Sequence, residues 1–135
     1  MAIKEQLERS TDVKDKSRIF FVGEIFWTMR EAWRTTSFGK NPDKLFRPVM
    51  VLKKSFSPHP VVVAPGTTKQ QKDDLNKVFI PSQKFENKYS GKSVDGYFIL
   101  YMRRPVDREY ISNYIATISG KEKQALAEML RKMEV

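Results

Sequence analysis

Short apolar runs, each stopped by glycine, proline or a polar stretch, constrain this chain to a β-rich fold. Residues 19–27 are dense in β-branched and aromatic side chains and are interrupted by Gly23. That composition favours strand, and a glycine inside it marks a bulge or a tight corner. The run Arg47-Pro48-Val49-Met50-Val51-Leu52 reads as a buried strand. Val61-Val62-Val63-Ala64 reads as another, ended by Pro65-Gly66-Thr67-Thr68, and Val78-Phe79-Ile80 as a third, stopped by Pro81. Residues 97–102, Tyr-Phe-Ile-Leu-Tyr-Met, predict one strong strand before Pro105. Residues 110–118 fit neither period, with apolar residues at 110, 111, 114, 115 and 118. The end is helical. Ser119-Gly120-Lys121-Glu122 matches a capping box, and Ala125, Leu126, Met129, Leu130 and Met133 recur at helical spacing. A mainly β (α+β) domain of about five to seven short strands, a curled sheet or partial barrel with a C-terminal α-helix, follows.

The chain has 135 residues, enough for one hydrophobic core. Residues 1–18 are polar and read as an N-terminal arm, with 19–135 as the domain. There is no cysteine and a single histidine, His59. Disulfide frameworks, thiolate zinc sites and a multi-histidine metal site are therefore excluded, and no cofactor or metal is expected. No apolar run approaches the roughly 20 residues that span a bilayer, and residues 1–18 hold no signal-like segment. A cytoplasmic location without membrane attachment is the expectation. The net charge of +9 favours a polyanionic partner.

Candidate binding groups cluster in two places. Residues 28–46 form a connection too long for an ordinary loop, interleaving Arg30, Arg34, Lys40 and Lys44 with Trp33 and Phe38. Cations offer phosphate contacts and aromatic rings offer stacking faces, a combination suited to unpaired bases. The same Trp33 could instead cover the core. The second place is a set of strand ends: Arg47, then Thr67, Thr68 and Lys69, then Arg103 and Arg104. Guanidinium and hydroxyl groups on one rim suit a phosphate. Taken singly, each is also an ordinary strand-start or turn residue. His59 lies between Pro58 and Pro60, where a solvated turn residue is the simpler reading.

The ordered set Gly23-Glu24-Ile25-Phe26-Trp27, a long polar loop, Arg47-Pro48-Val49-Met50-Val51-Leu52, and Val61 to Thr68 resembles the MazF/PemK toxin family. Ile99-Leu100 to Val106-Asp107-Arg108 and the capped terminal helix are similar too. The resemblance implies an SH3-like barrel, a homodimer and an acidic antitoxin partner. It also implies cleavage of single-stranded RNA without metal, through attack of the 2′-hydroxyl. By the same resemblance Arg47 and Thr67 carry catalysis and Arg104 meets the phosphate, while the residue pattern itself adds Arg30, Trp33, Arg34, Lys40, Lys44, Thr68 and Lys69 as RNA-binding candidates. Some members carry an acid, a Gln and a Thr where this chain has Tyr101, Met102 and Pro105, so no general base is assigned. A non-catalytic toxin, such as the gyrase-binding CcdB type, and a basic RNA- or partner-binding module on the same fold remain as alternatives. The chain ends without the aromatic anchor typical of CcdB-like proteins.

Overall fold

The apolar runs pair as antiparallel strands whose two faces are both covered. The structure, a computed structural model, describes residues 16–33, 46–67, 78–79, 85–86, 93–94 and 97–133. Nine strands follow in chain order among them: β1 Glu24–Met29, β2 Phe46–Val51, β3 Val61–Thr67, β4 Val78–Phe79, β5 Phe85–Glu86, β6 Ser93–Val94, β7 Tyr97–Ile99, β8 Arg104–Val106 and β9 Ile111–Thr117. Helix α1, Gly120–Met133, closes the chain. The main sheet runs β4-β7-β3-β2-β1-β9, with β8 also paired to β3, and β5-β6 form a separate pair. The end strands β4 and β9 are not paired with each other. The implied barrel is thus an open antiparallel sheet among the described residues.

Alternation along each strand sorts the core into two layers. Phe26, Val49, Val51, Val61 and Val63 face one side, where Phe20, Trp33 and Ile111 cover them. Ile25, Met50, Leu52 and Ala64 face the other, beneath Phe98, Leu100 and Leu126 of α1. A strand buried on both faces reads as a continuous apolar run, which is why 47–52 and 61–64 lack a polar alternation. Gly23 forms the corner before β1 at φ 88°. A side chain there would also strike Ile118 Cγ1, 2.7 Å from an ideal Cβ, so the position demands glycine.

Five details depart from the sequence expectation. The first is that β1 runs on through Thr28 and Met29, and β2 begins at Phe46, inside the stretch expected to be a long connection. β3 does not end at Ala64 but continues through Pro65 and Gly66 to Thr67. Pro65 is opposite Val49, and the strand pairs onward with β7 through Gly66↔Phe98 and Thr67↔Tyr97. The run 97–102 is not one strand: β7 stops at Ile99, a 3-10 turn takes Leu100–Met102, and β8 starts at Arg104. β5 and β6 fall between Pro81 and Tyr97, where the sequence predicts no strand. Ala125, assigned to the apolar stripe of α1, is exposed, while Leu126 is fully buried. The unresolved pattern of 110–118 is strand β9, whose register against β1 shifts twice between Ile25 and Thr28. Those irregularities break the two-residue period.

Ser119 caps the helix as the capping box requires of its first residue. The Glu122 N–H donates to Ser119 Oγ at 3.2 Å, and the Lys123 N–H to the Ser119 carbonyl at 2.9 Å. No helix among the described residues is long and apolar enough to cross a membrane.

Residues 16–20 are tied to the sheet body by a buried guanidinium. Arg108 donates from Nε to the His59 carbonyl at 2.7 Å and from Nη2 to Ser55 Oγ at 3.0 Å. Its Nη1 reaches the carbonyls of Arg18 at 2.5 Å and Lys16 at 3.2 Å. The Lys16 ammonium in turn donates to the Ile111 carbonyl. Phe20 bridges to Ser55 and meets Phe26 edge-on at 5.2 Å. Burial pushes the Arg108 guanidinium below its ordinary value, because its charged form gives up solvation there.

Candidate functional site

One rim of the sheet gathers the ends of β1, β2, β3 and β7. Thr28 of β1 is opposite Arg47 of β2, and Thr67 of β3 is opposite Tyr97 of β7. The β2–β3 register places Val49 against Pro65. Beyond it the Arg47 side chain meets β3 at Gly66, the residue before Thr67. Arg47 is half-buried, and its Nη1 donates to the Gly66 carbonyl at 2.8 Å. Burial lowers its pKa from the ordinary arginine value, yet a guanidinium keeps its proton throughout the physiological range.

Gly66 permits this approach. A Cβ there would lie 3.0 Å from Phe98 Cε1 and 3.1 Å from both Pro48 Cγ and the Pro48 carbonyl oxygen. Phe98 is buried and Pro48 belongs to a paired strand, so neither yields easily. A side chain here would have to push these neighbours back by a few tenths of an ångström, so glycine lets the third strand bring its carbonyl to the arginine without strain.

Behind Arg47 lies a buried hydroxyl. Thr28 Oγ1 donates to the Arg47 carbonyl at 2.8 Å. The Trp33 indole N–H donates to Thr28 Oγ1 at 2.8 Å. Trp33 closes the 3-10 turn Arg30–Trp33 directly after β1. Arg104 opens β8 opposite Val63 and holds its Cζ 5.7 Å from the Trp33 ring centre.

The structure therefore brings Arg47 and the Thr67 backbone to one rim and sets Arg104 against Trp33. Trp33 itself is 1% exposed. The stacking face expected of it is a core contact, with its N–H on Thr28 and Arg104 over its ring. Arg30 opens the 3-10 turn and is half-buried. Arg34, Phe38, Lys40, Lys44, Thr68 and Lys69 lie outside the described residues. His59 is exposed; its carbonyl is the acceptor for Arg108. Asp107 caps a 3-10 turn through its carbonyl, which accepts the Tyr110 N–H at 3.0 Å.

Tyr101 is exposed on the 3-10 turn after β7, and Pro105 sits in β8 opposite Val62. No group of three His, Cys, Asp or Glu suited to a metal occurs among the described residues. Thr28 is the group that sequence reasoning missed. Its signal was available only through register, since in sequence it falls within the expected 28–46 connection and the structure places it in β1 opposite Arg47.

The fold and rim define a small, basic, mainly β domain with one guanidinium pinned at a junction of three strands and a second against a buried indole. The chain belongs to the family of PemK-like, MazF-like toxins of type II toxin–antitoxin systems, whose sequence model matches residues 22–133. No curated protein matches it. Membership implies a toxin with an antitoxin partner.

Proposed function

We propose that this toxin is an endoribonuclease that cleaves single-stranded RNA without a metal ion. The observation that carries the reading is Arg47: a half-buried guanidinium, bonded to Gly66 O and opposite the end of β3, inside the family-matched stretch. In the reaction the 2′-oxygen attacks the adjacent phosphorus while the bond to the 5′-oxygen breaks. The 2′-hydroxyl proton leaves to a base, and a proton reaches the departing 5′-oxygen. Negative charge grows on the phosphorane oxygens, where a preorganised guanidinium is most effective. Arg47 takes that role. Thr67 supplies a hydroxyl for a hydrogen bond or a proton relay. Arg104, Arg30, Arg34, Lys40, Lys44, Thr68 and Lys69 hold the backbone. Trp33, being buried, is left out of the RNA-contacting set.

The test is incubation of purified protein with single-stranded RNA in EDTA. Fragments ending in 2′,3′-cyclic phosphate and 5′-hydroxyl are expected, and RNA left intact overturns the reading. A second reading, a non-catalytic RNA- or partner-binding toxin, is favoured by Tyr101, Met102 and Pro105 at positions where some members carry an acid, a Gln and a Thr. Intact RNA that is nevertheless retained by the protein is its signature.

A further inference from the structure

The geometry points to Thr28, backed by Trp33, as a positioning residue for Arg47; the inference rests on the ribonuclease reading above. Thr28 is fully buried, and its hydroxyl acts in both directions. It donates to the Arg47 carbonyl and accepts the Trp33 N–H, each at 2.8 Å. A hydroxyl has one proton, so the indole bond on its lone pair leaves that proton for the Arg47 carbonyl.

The bond matters where it falls. The next residue, Pro48, has no N–H, so this end of β2 lacks one ladder donor. The Thr28 hydroxyl supplies a further donor and fixes the peptide that joins Arg47 to Pro48. Gly66 O fixes the far end of the same side chain through Nη1. Arg47 is thus held at its backbone and at its guanidinium by different strands. The indole that orients Thr28 also bears Arg104 on its ring. One buried tryptophan thus touches Arg104 directly and Arg47 only through Thr28.

A positioning role predicts a loss of turnover rather than of RNA affinity. Thr28→Val, which keeps the shape and removes the hydroxyl, is expected to lower kcat about tenfold with KM within about twofold, since small misplacement of a catalytic group acts on the transition state. Thr28→Ser restores the hydroxyl and should return kcat to near the parent value. Trp33→Phe keeps a ring beneath Arg104 and removes the N–H, so a smaller loss of about threefold is expected, because Thr28 can still donate.

The discriminating measurement is a double-mutant cycle. In an Arg47→Ala background, Thr28→Val should lower kcat no further, because the guanidinium it aims is gone. Full kcat in folded Thr28→Val, or losses that multiply in the double variant, overturns the inference. Should Thr28→Val not fold, Trp33→Phe carries the same cycle, and parental kcat in that variant is equally fatal. An active Arg47→Ala overturns the site reading itself. An inactive Arg47→Ala beside a fully active Thr28→Val overturns the positioning role alone.

Discussion

Arg47 is gripped at two points, its carbonyl by the Thr28 hydroxyl and its guanidinium by the Gly66 carbonyl. A strand-opening arginine followed by proline could be read from the chain, but its partner could not. Gly66 O lies nineteen positions away and is brought near by register alone. Trp33 shows the converse. A tryptophan among cations in a long loop has the composition of a base-stacking platform, and the same residue also suits a core. What decides is that a 3-10 turn follows β1 at once and folds the ring back onto Thr28. The prediction at this scale compares two substitutions on one RNA. Arg47→Ala should lower cleavage on the order of a hundredfold or more, as when a preorganised charge donor is lost. Binding of an uncleavable RNA should weaken much less, since other cations still hold the backbone. His59→Ala should leave cleavage near the parent level, because its carbonyl, not its imidazole, makes the Arg108 contact. An inactive histidine variant would show the site to be misassigned. Thr67→Val should slow cleavage while thermal unfolding stays close to that of the parent.

The elements were legible in proportion to how local their causes are. Ser119 and Glu122 are three residues apart, and the helix they start was readable with its cap. β2 and β3 were readable because burial on both faces leaves continuous apolar runs. The division of 97–102 was not, since β7 pairs with the end of β3 and β8 with its beginning. One strand turning a corner to pair twice with another is a tertiary fact, with no breaker in Tyr-Phe-Ile-Leu-Tyr-Met to announce it. Arg108 was equally opaque, because its acceptors at 16, 18, 55 and 59 are scattered along the chain. Arg108→Ala should destabilise the fold by about 3 kcal/mol, since carbonyls bonded to a charged donor lose it together. Arg108→Lys should recover only part of this, because an ammonium lacks the planar fork that reaches several acceptors. Urea unfolding of the three proteins checks both statements; equal midpoints for parent and Arg108→Ala would refute the clamp.

For the whole molecule, charge and size act together. An excess of nine positive charges draws a polyanion from a distance and repels a second copy, so self-association needs apolar surface to offset it. Met129, Leu130 and Met133 of α1 are only partly buried against the core. A homodimer that covers part of that helix is expected, and light scattering showing only monomer at micromolar concentration would refute it. The antitoxin should carry an acidic segment that orders on the basic rim. Expression of this chain alone should arrest growth, and co-expression with an acidic neighbour-encoded protein should relieve the arrest and yield a co-purifying complex. Harmless expression of the chain by itself would count against its being an active toxin.

The clamp around Arg108 has a practical corollary for anyone trimming the gene. The family-matched stretch begins at residue 22, and a coding fragment cut to that boundary looks tidy. It would discard Phe20, which is wholly enclosed and leans edge-on against Phe26. It would also discard two of the carbonyls that Arg108 grips. The shortened product would carry a ring-sized hole in one layer of its interior and a buried cation short of acceptors. Poor yield from such a fragment would then report on the cut, and not on the toxicity of the protein.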